Sequence, residues 1–589
     1  MPVFLPSGAR GPTRRRFMTG AGALAALTAL PRAAHAAPLP AGQVPPTSAS
    51  EYDLVIERAR LRILDRPQHA PTVNGGVPGP VLRWREGDTV TLNVHNTLEE
   101  ETSIHWHGIR CPADMDGVPG LSFGGIPAGG TFTYRFPVRQ SGTYWYHSHS
   151  NMQEALGVYG AIVIDPRDSE PLRYDRDYVI LLSDWSDVDP RDIVSNLKFQ
   201  SDYYNFRQRS VASFFPDAAR SGVGPVLKDR LQWAGMNMSA TDIADVSGII
   251  YTYLLNGHTP DANWTGLFRP GERIRLRFIN ASAMTFYDIR IPGLSMDVIQ
   301  ADGNAVAPVT VDEFRIGVAE TYDCIVQPTD DRAYTIFAQS EDRTGYARGT
   351  LATHMGQAGP IPPMDPRPVR SMVDMGMAHD GMKAMGNMQD MGRMTNMPGM
   401  PGMDHNGGSH AHGSMTMPEP TRPPPLNVEN QNVAAMPTDQ LADPGDGLHN
   451  NGRRVLTYAD LRAMRPAVDP RPPSRRITLH LTGNMERYIW GFDGKKFSEA
   501  DPIPLRLGER VRFVLINDTM MEHPVHLHGL WSELENGQGA YNPVKHTIIS
   551  QPGSRLSYLV TADTPGLWAF HCHLLYHMDL GMFRTVVVS

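Results

Sequence analysis

The chain has little cysteine and, beyond its first thirty residues, no long apolar run. Only three cysteines occur among 589 residues, Cys111, Cys324 and Cys572, so at most one disulfide can form. Cys111 with Cys324 is the pair that an oxidising compartment would favour, although nothing in the sequence places them together. No later apolar run is long enough to span a bilayer. The formal net charge of −8 argues against nucleic-acid binding and suits a cationic substrate.

The N-terminus has the composition of an export signal. A Thr-Arg-Arg-Arg stretch at residues 13–16 precedes an apolar run that ends at Leu30, and an Ala-His-Ala tripeptide ends at Ala36. This pattern looks like a twin-arginine signal with its cleavage site; a basic, disordered N-terminus is the alternative. Removal of residues 1–36 takes away five Arg and no acidic residue, which leaves a charge of −13. We therefore expect a periplasmic protein with no transmembrane segment in its mature form.

Residues 571–582 place sulfur and imidazole donors in one short stretch, His-Cys-His-Leu-Leu-Tyr-His-Met-Asp-Leu-Gly-Met. A blue-copper site takes one Cys, two His and a distant Met. The stretch holds three of these four ligands: Cys572, His577 and Met582. In an extended strand His571 and His573 point away from Cys572, which leaves them for a second centre behind it. The stretch therefore predicts electron transfer between two metal centres; a zinc site or a packed core cysteine is the alternative.

Three further His-x-His pairs complete a set of eight imidazoles. One pair alone is weak evidence, because two histidines on a solvated strand face are common. Four pairs, two near each end of the chain, suit a cluster of three copper ions, since imidazole favours copper. The eight residues are His105, His107, His147, His149, His526, His528, His571 and His573.

An internal pattern places these pairs in equivalent positions. Three alternating strands each open with Gly and an acidic residue and end at an asparagine: Asn96, Asn280 and Asn517. His105 and His526 lie nine residues after their asparagines, whereas the middle copy has Ile289 there and Ile291 two residues later. Three copies of a period-2 pattern, each of more than a hundred residues, predict three β-sandwich domains. The middle domain is predicted to lack metal ligands.

The same alignment assigns the missing ligand of the mononuclear site. His523 has the opposite strand parity to His526, so it faces Cys572. In the first domain the aligned positions carry no such ligand set: Thr102, Ser148, Gln153 and Val158. We therefore predict a mononuclear site in the last domain alone, and the three-ion cluster between the first and last domains.

These motifs look like those of multicopper oxidases. HWHG, HSH, HPxHxHG and HCHxxxHxxxGM match that family in order, spacing and chain position, over nearly all of the exported chain. The neighbouring segments SDWSD, TDIADVSG and GYARGTLA are similar to the CopA-type periplasmic copper-resistance oxidases. The resemblance implies an all-β fold of three cupredoxin-like Greek-key sandwiches. It also implies an enzyme that oxidises its substrate one electron at a time and reduces O2 to water.

The resemblance further implies four copper ions. The type 1 ion would be bound by His523, Cys572 and His577, with Met582 as axial ligand. The type 2 ion would be bound by His105 and His526. The type 3 pair would be bound by the remaining six histidines: His107, His147, His149, His528, His571 and His573.

Proton supply points to Asp116. Reduction of O2 to water consumes four protons, so an acid near the cluster is expected. Asp116, in DMDGVPG shortly after HWHG, fits the position of a family acid; a turn Asp before Gly is the alternative. Some cuprous oxidases carry a Glu directly after the type 1 His. This chain has Met578 there, so that proton route does not carry over.

Residues 372–417 carry thirteen methionines with interspersed histidines. Eight of them follow a strict spacing of three: Met382, Met385, Met388, Met391, Met394, Met397, Met400 and Met403. Pro and Gly interrupt the segment, which favours a flexible low-complexity linker. Core packing does not explain its methionines, because their neighbours are polar or Gly. Thioethers select Cu(I), so a role in Cu(I) binding is a second interpretation. Met520 and Met521 would extend this path; ordinary loop packing is the alternative.

These observations predict a signal at 1–36, sandwich domains at 50–170, 175–355 and 455–589, and a Met/His/Pro-rich insertion at 360–445 before the third domain. The favoured function is a monomeric periplasmic copper-resistance oxidase with Cu(I) and O2 as substrates. A periplasmic copper chaperone is a candidate partner. A laccase-like oxidase of phenols or aromatic amines and a copper-sequestering protein are the alternatives. The methionines favour Cu(I), and the connected type 1 site favours an enzyme over storage.

Overall fold

The computed structural model describes residues 42–64, 66–168, 172–205, 207–377 and 423–589. These residues belong to one compact unit, residues 41–589. The predicted signal and the eight methionines from Met382 to Met403 lie outside the described residues. No described helix is both long and apolar enough to cross a membrane.

The first sandwich consists of two four-stranded sheets. Its elements are β1 (Glu51–Leu61), β2 (Gln68–Val73), β3 (Leu82–Arg85), β4 (Thr89–Asn96), β5 (His105–His107), β6 (Thr131–Pro137), β7 (Gly142–His147), α1 (Gln153–Leu156) and β8 (Tyr159–Asp165). The sheet orders are β2-β1-β4-β6 and β3-β8-β7-β5. In β4 every second residue is buried, because Val90, Leu92 and Val94 face the core that the two sheets enclose. A 3-10 turn, Ala113–Met115, follows β5.

The middle sandwich has larger sheets and three helices. Its elements are β9 (Arg176–Trp185), α2 (Pro190–Phe199), α3 (Val211–Ser221), α4 (Val223–Gly235), β10 (Thr252–Leu255), β11 (Trp264–Leu267), β12 (Ile274–Asn280), β13 (Tyr287–Arg290), β14 (Met296–Ala301), β15 (Asn304–Val311), β16 (Glu313–Ile316), β17 (Thr321–Val326), β18 (Tyr334–Ser340) and β19 (Tyr346–Ala352). The sheet orders are β10-β9-β12-β17-β14-β15 and β11-β19-β18-β13-β16.

The last sandwich has the same strand order as the middle one. Its elements are β20 (Arg475–Asn484), β21 (Ile489–Phe492), β22 (Ile503–Leu505), β23 (Arg510–Asn517), β24 (His523–Leu527), β25 (Ser532–Leu534), β26 (Val544–Lys545), β27 (Thr547–Ser550), β28 (Arg555–Thr561), β29 (Gly566–Cys572), α5 (Leu575–Asp579) and β30 (Phe583–Val588). The sheet orders are β21-β20-β23-β28-β25-β26 and β22-β30-β29-β24-β27. Further 3-10 turns are Tyr458–Asp460, Phe497–Glu499 and Gly539–Tyr541.

The three asparagines of the sequence pattern make equivalent hydrogen bonds in the three sandwiches. Each ends a strand, and its side-chain amide donates to a carbonyl of a segment that is distant in sequence. Asn96 donates to Ile126 O and Asn517 to Ser550 O. Asn280 donates in the same way to Ile316 O. Each amide also donates to a carbonyl four or five residues further on, at Glu100, Thr285 and Met521. These local bonds hold the segment before the next strand, which in the outer sandwiches carries His-x-His.

The all-β prediction is confirmed, and helices α2 to α4 are an addition to it. The period-2 pattern did not indicate them, because they lie in the connection between β9 and β10. Their start signals are local: Asp189 accepts a hydrogen bond from Arg191 N, with Pro190 in the first turn. Ser210 forms a capping box with Ser213.

The structure answers one open question about sulfur and corrects one expectation. Cys111 and Cys324 are both free and buried, in the cores of the first and the middle sandwich respectively, so they form no disulfide. Met372 and Met375 are also buried in the core. Core packing therefore does explain the first methionines of the 372–417 segment.

Candidate metal centres

Strands β24 and β29 and helix α5 bring one thiol and two imidazoles to one point. Cys572 Sγ lies 3.4 Å from His523 Nδ1 and 3.9 Å from His577 Nδ1. The two ring nitrogens are 3.3 Å apart. Met582 is buried beside them, since Cys572 N donates to Met582 O at 3.1 Å. The structure therefore brings together all four residues predicted for a type 1 site.

Hydrogen bonds hold the outer nitrogens of these two rings. Thr519 Oγ1 lies 2.7 Å from His523 Nε2, and Asp245 Oδ2 lies 2.7 Å from His577 Nε2. Trp490 stacks on the His577 ring at 3.8 Å. With each Nε2 occupied, each Nδ1 is directed at Cys572, which is the arrangement that orients imidazole ligands around a metal.

Burial sets the protonation of this site. It lowers the pKa of His523 well below its ordinary value, with a further contribution from His577. It also lowers the pKa of His577 and raises that of the Cys572 thiol. Both imidazoles are therefore held in the neutral form that binds metals, while Cys572 has to release a proton when a metal binds.

Four strands from two sandwiches surround the eight-histidine cluster. Strand β5 pairs with β7 in the first sandwich, and β24 pairs with β29 in the last. The His105 ring stacks on His528 at 3.9 Å, and the His107 ring on His526 at 3.8 Å. Both contacts cross from the first sandwich to the last, as the sequence predicted for the cluster.

The outer nitrogens of five of these rings are bonded to protein oxygens. The pairs are His105 Nδ1 with Asp116 O at 2.8 Å, His147 Nδ1 with Ser148 O at 3.1 Å, His526 Nδ1 with His546 O at 2.6 Å, His528 Nδ1 with Asp116 Oδ2 at 2.8 Å, and His571 Nδ1 with Cys572 O at 2.9 Å. These bonds decide which nitrogen each ring turns towards the centre.

On the other side, His528 Nε2 lies 3.0 Å from His571 Nε2, while within the described part of the chain each of the other six rings has one unpartnered nitrogen. Among the described residues, six ring nitrogens of the cluster are buried without a hydrogen bond: His105 Nε2, His107 Nδ1, His147 Nε2, His149 Nε2, His526 Nε2 and His573 Nε2. A buried polar atom without a partner is rare and costly. Groups such as His105, His526 and His528 place their donor nitrogens within 4.8 Å of one another. Convergent neutral imidazoles of this kind fit copper ions.

Burial also favours the neutral form of seven of these histidines. It lowers the pKa of His571 to about 3, and it lowers the pKa of His107 and His528 well below the ordinary value, together with the neighbouring histidines. A neutral ring offers a lone pair to a metal without first losing a proton.

The predicted acid and methionines occupy different surroundings. Asp116 is buried between His105 and His528 and bonds to both. Met520 and Met521 are buried just before His523, and Met520 O accepts a hydrogen bond from Arg370. Asp116 thus lies at the cluster, and the two methionines lie beside the mononuclear site.

The positions aligned with the type 1 ligands hold a neutral hydrogen-bonded set in the first sandwich. Gln153 Oε1 accepts from Thr102 Oγ1 at 2.6 Å and from Ser148 Oγ at 2.9 Å. In the middle sandwich, Ile289 and Ile291 stand at the positions of a His-x-His pair of the cluster and are buried in the core. The first place thus lacks the thiol and imidazoles of the mononuclear site, and the second lacks the imidazoles of the cluster.

Three residues at these centres were not identified from the sequence. His546 Nδ1 lies 3.2 Å from His107 Nε2, and a side chain at Gly108 would collide with the His546 ring, which explains the Gly of HWHG. A single His in KHT gives no signal by itself. Asp245 and Glu154 reach histidines from outside the four motifs, so motif spacing alone does not reveal them.

The last sandwich holds a centre lined by one thiol and two imidazoles, and strand β29 joins it to the eight-histidine cluster. These two centres, in a chain of three β-sandwiches, are typical of a copper oxidase. Multicopper oxidase family models match residues 55–169, 176–356 and 470–589, and the chain belongs to this family. It is therefore an enzyme that uses copper and O2.

Within this family the chain is similar to copper resistance proteins. It is 55% identical over 586 residues to the copper resistance protein A homolog of Pseudomonas syringae pv. tomato, with 98% of this chain and 99% of that protein covered. It is 55% identical over 565 residues to copper resistance protein A of Escherichia coli, with 92% and 93% covered. The solved structure of Fet3p matches with a TM-score of 0.63 and 19% identity, covering 92% of this chain and 90% of that one. That last likeness supports the fold alone.

Proposed function

We propose that this oxidase serves copper resistance by oxidising Cu(I) to Cu(II) at the type 1 site of the last sandwich. Four Cu(I) ions give up four electrons, and one O2 with four protons takes them up to form two water molecules. Four resident copper ions would be held by the twelve predicted ligands, one of type 1, one of type 2 and a type 3 pair. Two relatives at 55% identity are named for copper resistance, which supports this role.

The main observation in favour of Cu(I) as substrate is a cavity beside His523. Met284 and Met521 line it, together with Glu341 and Glu522. Thioethers are soft ligands that select Cu(I). Glu522 Oε2 is buried with no hydrogen-bond partner, so this oxygen has a free lone pair for a cation. Met521 and Glu522 directly precede His523, which places this cavity next to the mononuclear site.

A cleft leads from the surface towards this cavity. Asp439 and Asp443 line the cleft, and Phe286 and Glu522 line both the cleft and the cavity. Arg315 holds the other oxygen of Glu522 at 3.1 Å, which fixes the side chain between the two spaces. Acidic groups along a route concentrate cations in it, so this path suits an ion rather than a neutral aromatic.

The chain connects the two centres covalently. When bound, copper would supply one-electron acceptance at the Cys572 site and O2 reduction at the histidine cluster. Cys572 belongs to the first centre, and its neighbours His571 and His573 belong to the second. Asp116, bonded to two cluster histidines, is our candidate for proton delivery.

The surroundings of His577 count against an organic substrate. A phenol would need to approach the edge of a type 1 ligand. His577 Nε2 is occupied by Asp245, its face is covered by Trp490, and the residue is fully buried. Sequestration of copper, the other alternative, would need no strand that joins two centres.

We also propose the remaining sequence predictions. The chain would be exported through the twin-arginine signal at 1–36 to the periplasm and act there as a monomer, receiving copper from a chaperone. Its domains would span 50–170, 175–355 and 455–589. The paired arginines at 14–16 and the three matched family ranges support these assignments.

The substrate is tested by replacing the two cavity thioethers. Met284→Leu with Met521→Leu keeps volume and apolar character but removes both soft ligands. We expect kcat/KM for Cu(I) to fall about tenfold or more, which corresponds to ~1.4 kcal/mol. Oxidation of a phenol and the blue thiolate-to-copper band should be unchanged.

Met520→Leu is the matched control. Met520 is buried next to Met521 but does not line the cavity, so we expect a smaller effect. Equal loss with Cu(I) and phenol would show general damage to the type 1 site. Unchanged Cu(I) kinetics in the double variant would contradict the proposed substrate site.

A further inference from the structure

Glu154 is a buried carboxylate that touches both halves of the histidine cluster. It lies in α1 of the first sandwich and is almost fully buried. Its Oε2 lies 2.6 Å from His147 Nδ1. Its Oε1 lies 3.8 Å from His573 Nδ1 in the last sandwich and has no hydrogen-bond partner. One acid thus faces one predicted ligand from each side of the domain junction.

Asp116 also contacts one histidine from each end of the chain, but through different groups. Its backbone carbonyl accepts from His105 of the first sandwich, and its carboxylate Oδ2 accepts from His528 of the last. Two acidic residues of the first sandwich therefore lie against the cluster, each beside one histidine from each end of the chain. The sequence pointed to Asp116 but not to Glu154.

The helix that carries Glu154 is anchored by the first sandwich's counterpart of the type 1 site. Gln153 accepts hydrogen bonds from Thr102 and Ser148 and donates to Glu101 O at 2.9 Å. These three polar side chains occupy the positions that align with His523, Cys572 and His577. In the same alignment Glu154 lies opposite Met578, the residue after His577.

We propose that Glu154 is a positioning residue that ties His147 to His573 across the domain junction, and that the Thr102–Ser148–Gln153 set holds it in place. Glu154 Oε2 lies 2.6 Å from His147 Nδ1, which donates to Ser148 O at 3.1 Å, so the carboxyl group packs against the outer edge of the ring whose Nε2 faces the cluster. His147 Nε2 and His573 Nε2 are both buried and unpartnered. The aligned position in the first sandwich thus serves the cluster instead of binding copper. The inference rests on the proposed copper cluster.

Copper titration of the apoprotein of Glu154→Gln tests this inference. Loss of an outer-sphere partner typically weakens metal binding about 10–100-fold, and we expect a loss in that range for the cluster ions. The type 1 band should form at the same copper concentration as in the wild type, because its ligands do not contact Glu154. Copper per chain and the electron paramagnetic resonance signals of the two centres report this without any activity assay.

Two comparison variants separate positioning from general support. Glu154→Asp keeps the carboxyl group and should recover part of the cluster affinity. Glu313→Gln removes another fully buried carboxylate, which pairs with Arg290 and Arg453 far from the motifs in sequence. It should lower the thermal midpoint of the apoprotein without changing cluster affinity. If Glu154→Gln does not fold, Glu154→Asp and Gln153→Leu decide the matter by the same titration.

The outcomes distinguish this inference from the proposed function. Wild-type protein that takes up no copper at the histidine cluster would remove the proposed function and this inference together. Wild-type uptake with unchanged cluster affinity in both Glu154 variants would overturn this inference alone. A lower apoprotein midpoint with unchanged affinity would also overturn it, since Glu154 would then be a structural support.

Discussion

At the scale of single residues, the geometry of each centre depends on the protein atom that hydrogen-bonds to the outer nitrogen of each histidine ring. A histidine can bind a metal through either ring nitrogen, and a nitrogen that is hydrogen-bonded to the protein is no longer available to the metal. His577 is the clearest case, because Asp245 Oδ2 lies 2.7 Å from its Nε2 and also accepts from Tyr488 Oη at 2.8 Å. The middle sandwich therefore supplies a partner to the mononuclear site even though it offers no predicted ligand there.

Asp245→Asn should raise the reduction potential of the type 1 site. A carboxylate bonded to an imidazole increases its basicity and stabilises the more positive metal state, and a neutral amide does so less. Redox titration of the blue band measures the shift. Tyr488→Phe removes a bond to the same carboxylate but leaves the charge, so its shift should be smaller. An unchanged or lower potential in Asp245→Asn would contradict this account of Asp245.

Whether a residue of these centres could be predicted from the sequence depends on whether it is a predicted ligand or a hydrogen-bond partner of one. Ligands recur at fixed offsets on strands, so alternation and spacing placed all twelve beside one centre or the other. Their partners obey no such rule. Asp245 comes from the middle sandwich, Glu154 from a four-residue helix and His546 from the bend between β26 and β27. Only tertiary structure brings them to the rings, and local sequence does not encode that proximity.

At the scale of elements, strands β5, β13 and β24 occupy equivalent positions in the three sandwiches but carry different side chains. All three follow a strand that ends in a bonded asparagine. The outer two carry histidines, and β13 carries Ile289, which is fully buried. The fixed distance from the asparagines marked the positions of His105, Ile289 and His526, and the period-2 pattern predicted the preceding strands β4, β12 and β23. It did not predict helices α2 to α4, whose signals are caps within one long connection.

Ile289→Ala should destabilise the middle sandwich and leave copper content unchanged. Removal of a buried isoleucine side chain typically costs about 2–5 kcal/mol, so the thermal midpoint of the apoprotein should fall. Ile289→Val removes one methyl group and should cost about 0.5–1.5 kcal/mol. Copper analysis of the folded variants gives the second readout. Loss of a specific copper ion from Ile289→Ala without loss of stability would show that the middle sandwich holds a metal.

At the scale of the whole molecule, each centre needs more than one sandwich. The histidine cluster joins the first sandwich to the last, and the mononuclear site bonds to Asp245 of the middle one. The cavity lined by Met284 and Met521 also lies between the middle and last sandwiches. Because residues of different sandwiches meet at each of these places, the chain acts as one unit in binding, electron transfer and O2 reduction.

The Met-rich segment at 372–417 allows a prediction about the delivery of Cu(I) to the electron-entry site. Replacement of the eight methionines from Met382 to Met403 by Ser keeps the length but removes the soft ligands. Met372 and Met375 stay unchanged, because they belong to the core. If the segment concentrates Cu(I) near the electron-entry site, Cu(I) oxidation at low free copper should fall, while saturating Cu(I) should restore it.

The controls for this variant separate delivery from linkage. Phenol oxidation should stay the same or rise, and the blue band should persist, because the type 1 ligands lie in the last sandwich. A pure linker predicts no change with either substrate. A gate that acts by bulk predicts a gain on deletion of the segment and none on substitution by Ser. If Cu(I) kinetics at low free copper are indifferent to the loss of all eight methionines, delivery is excluded. The cavity at Met284 and Met521 would then be the sole thioether site that the Cu(I) proposal retains, and the double leucine variant would decide it alone.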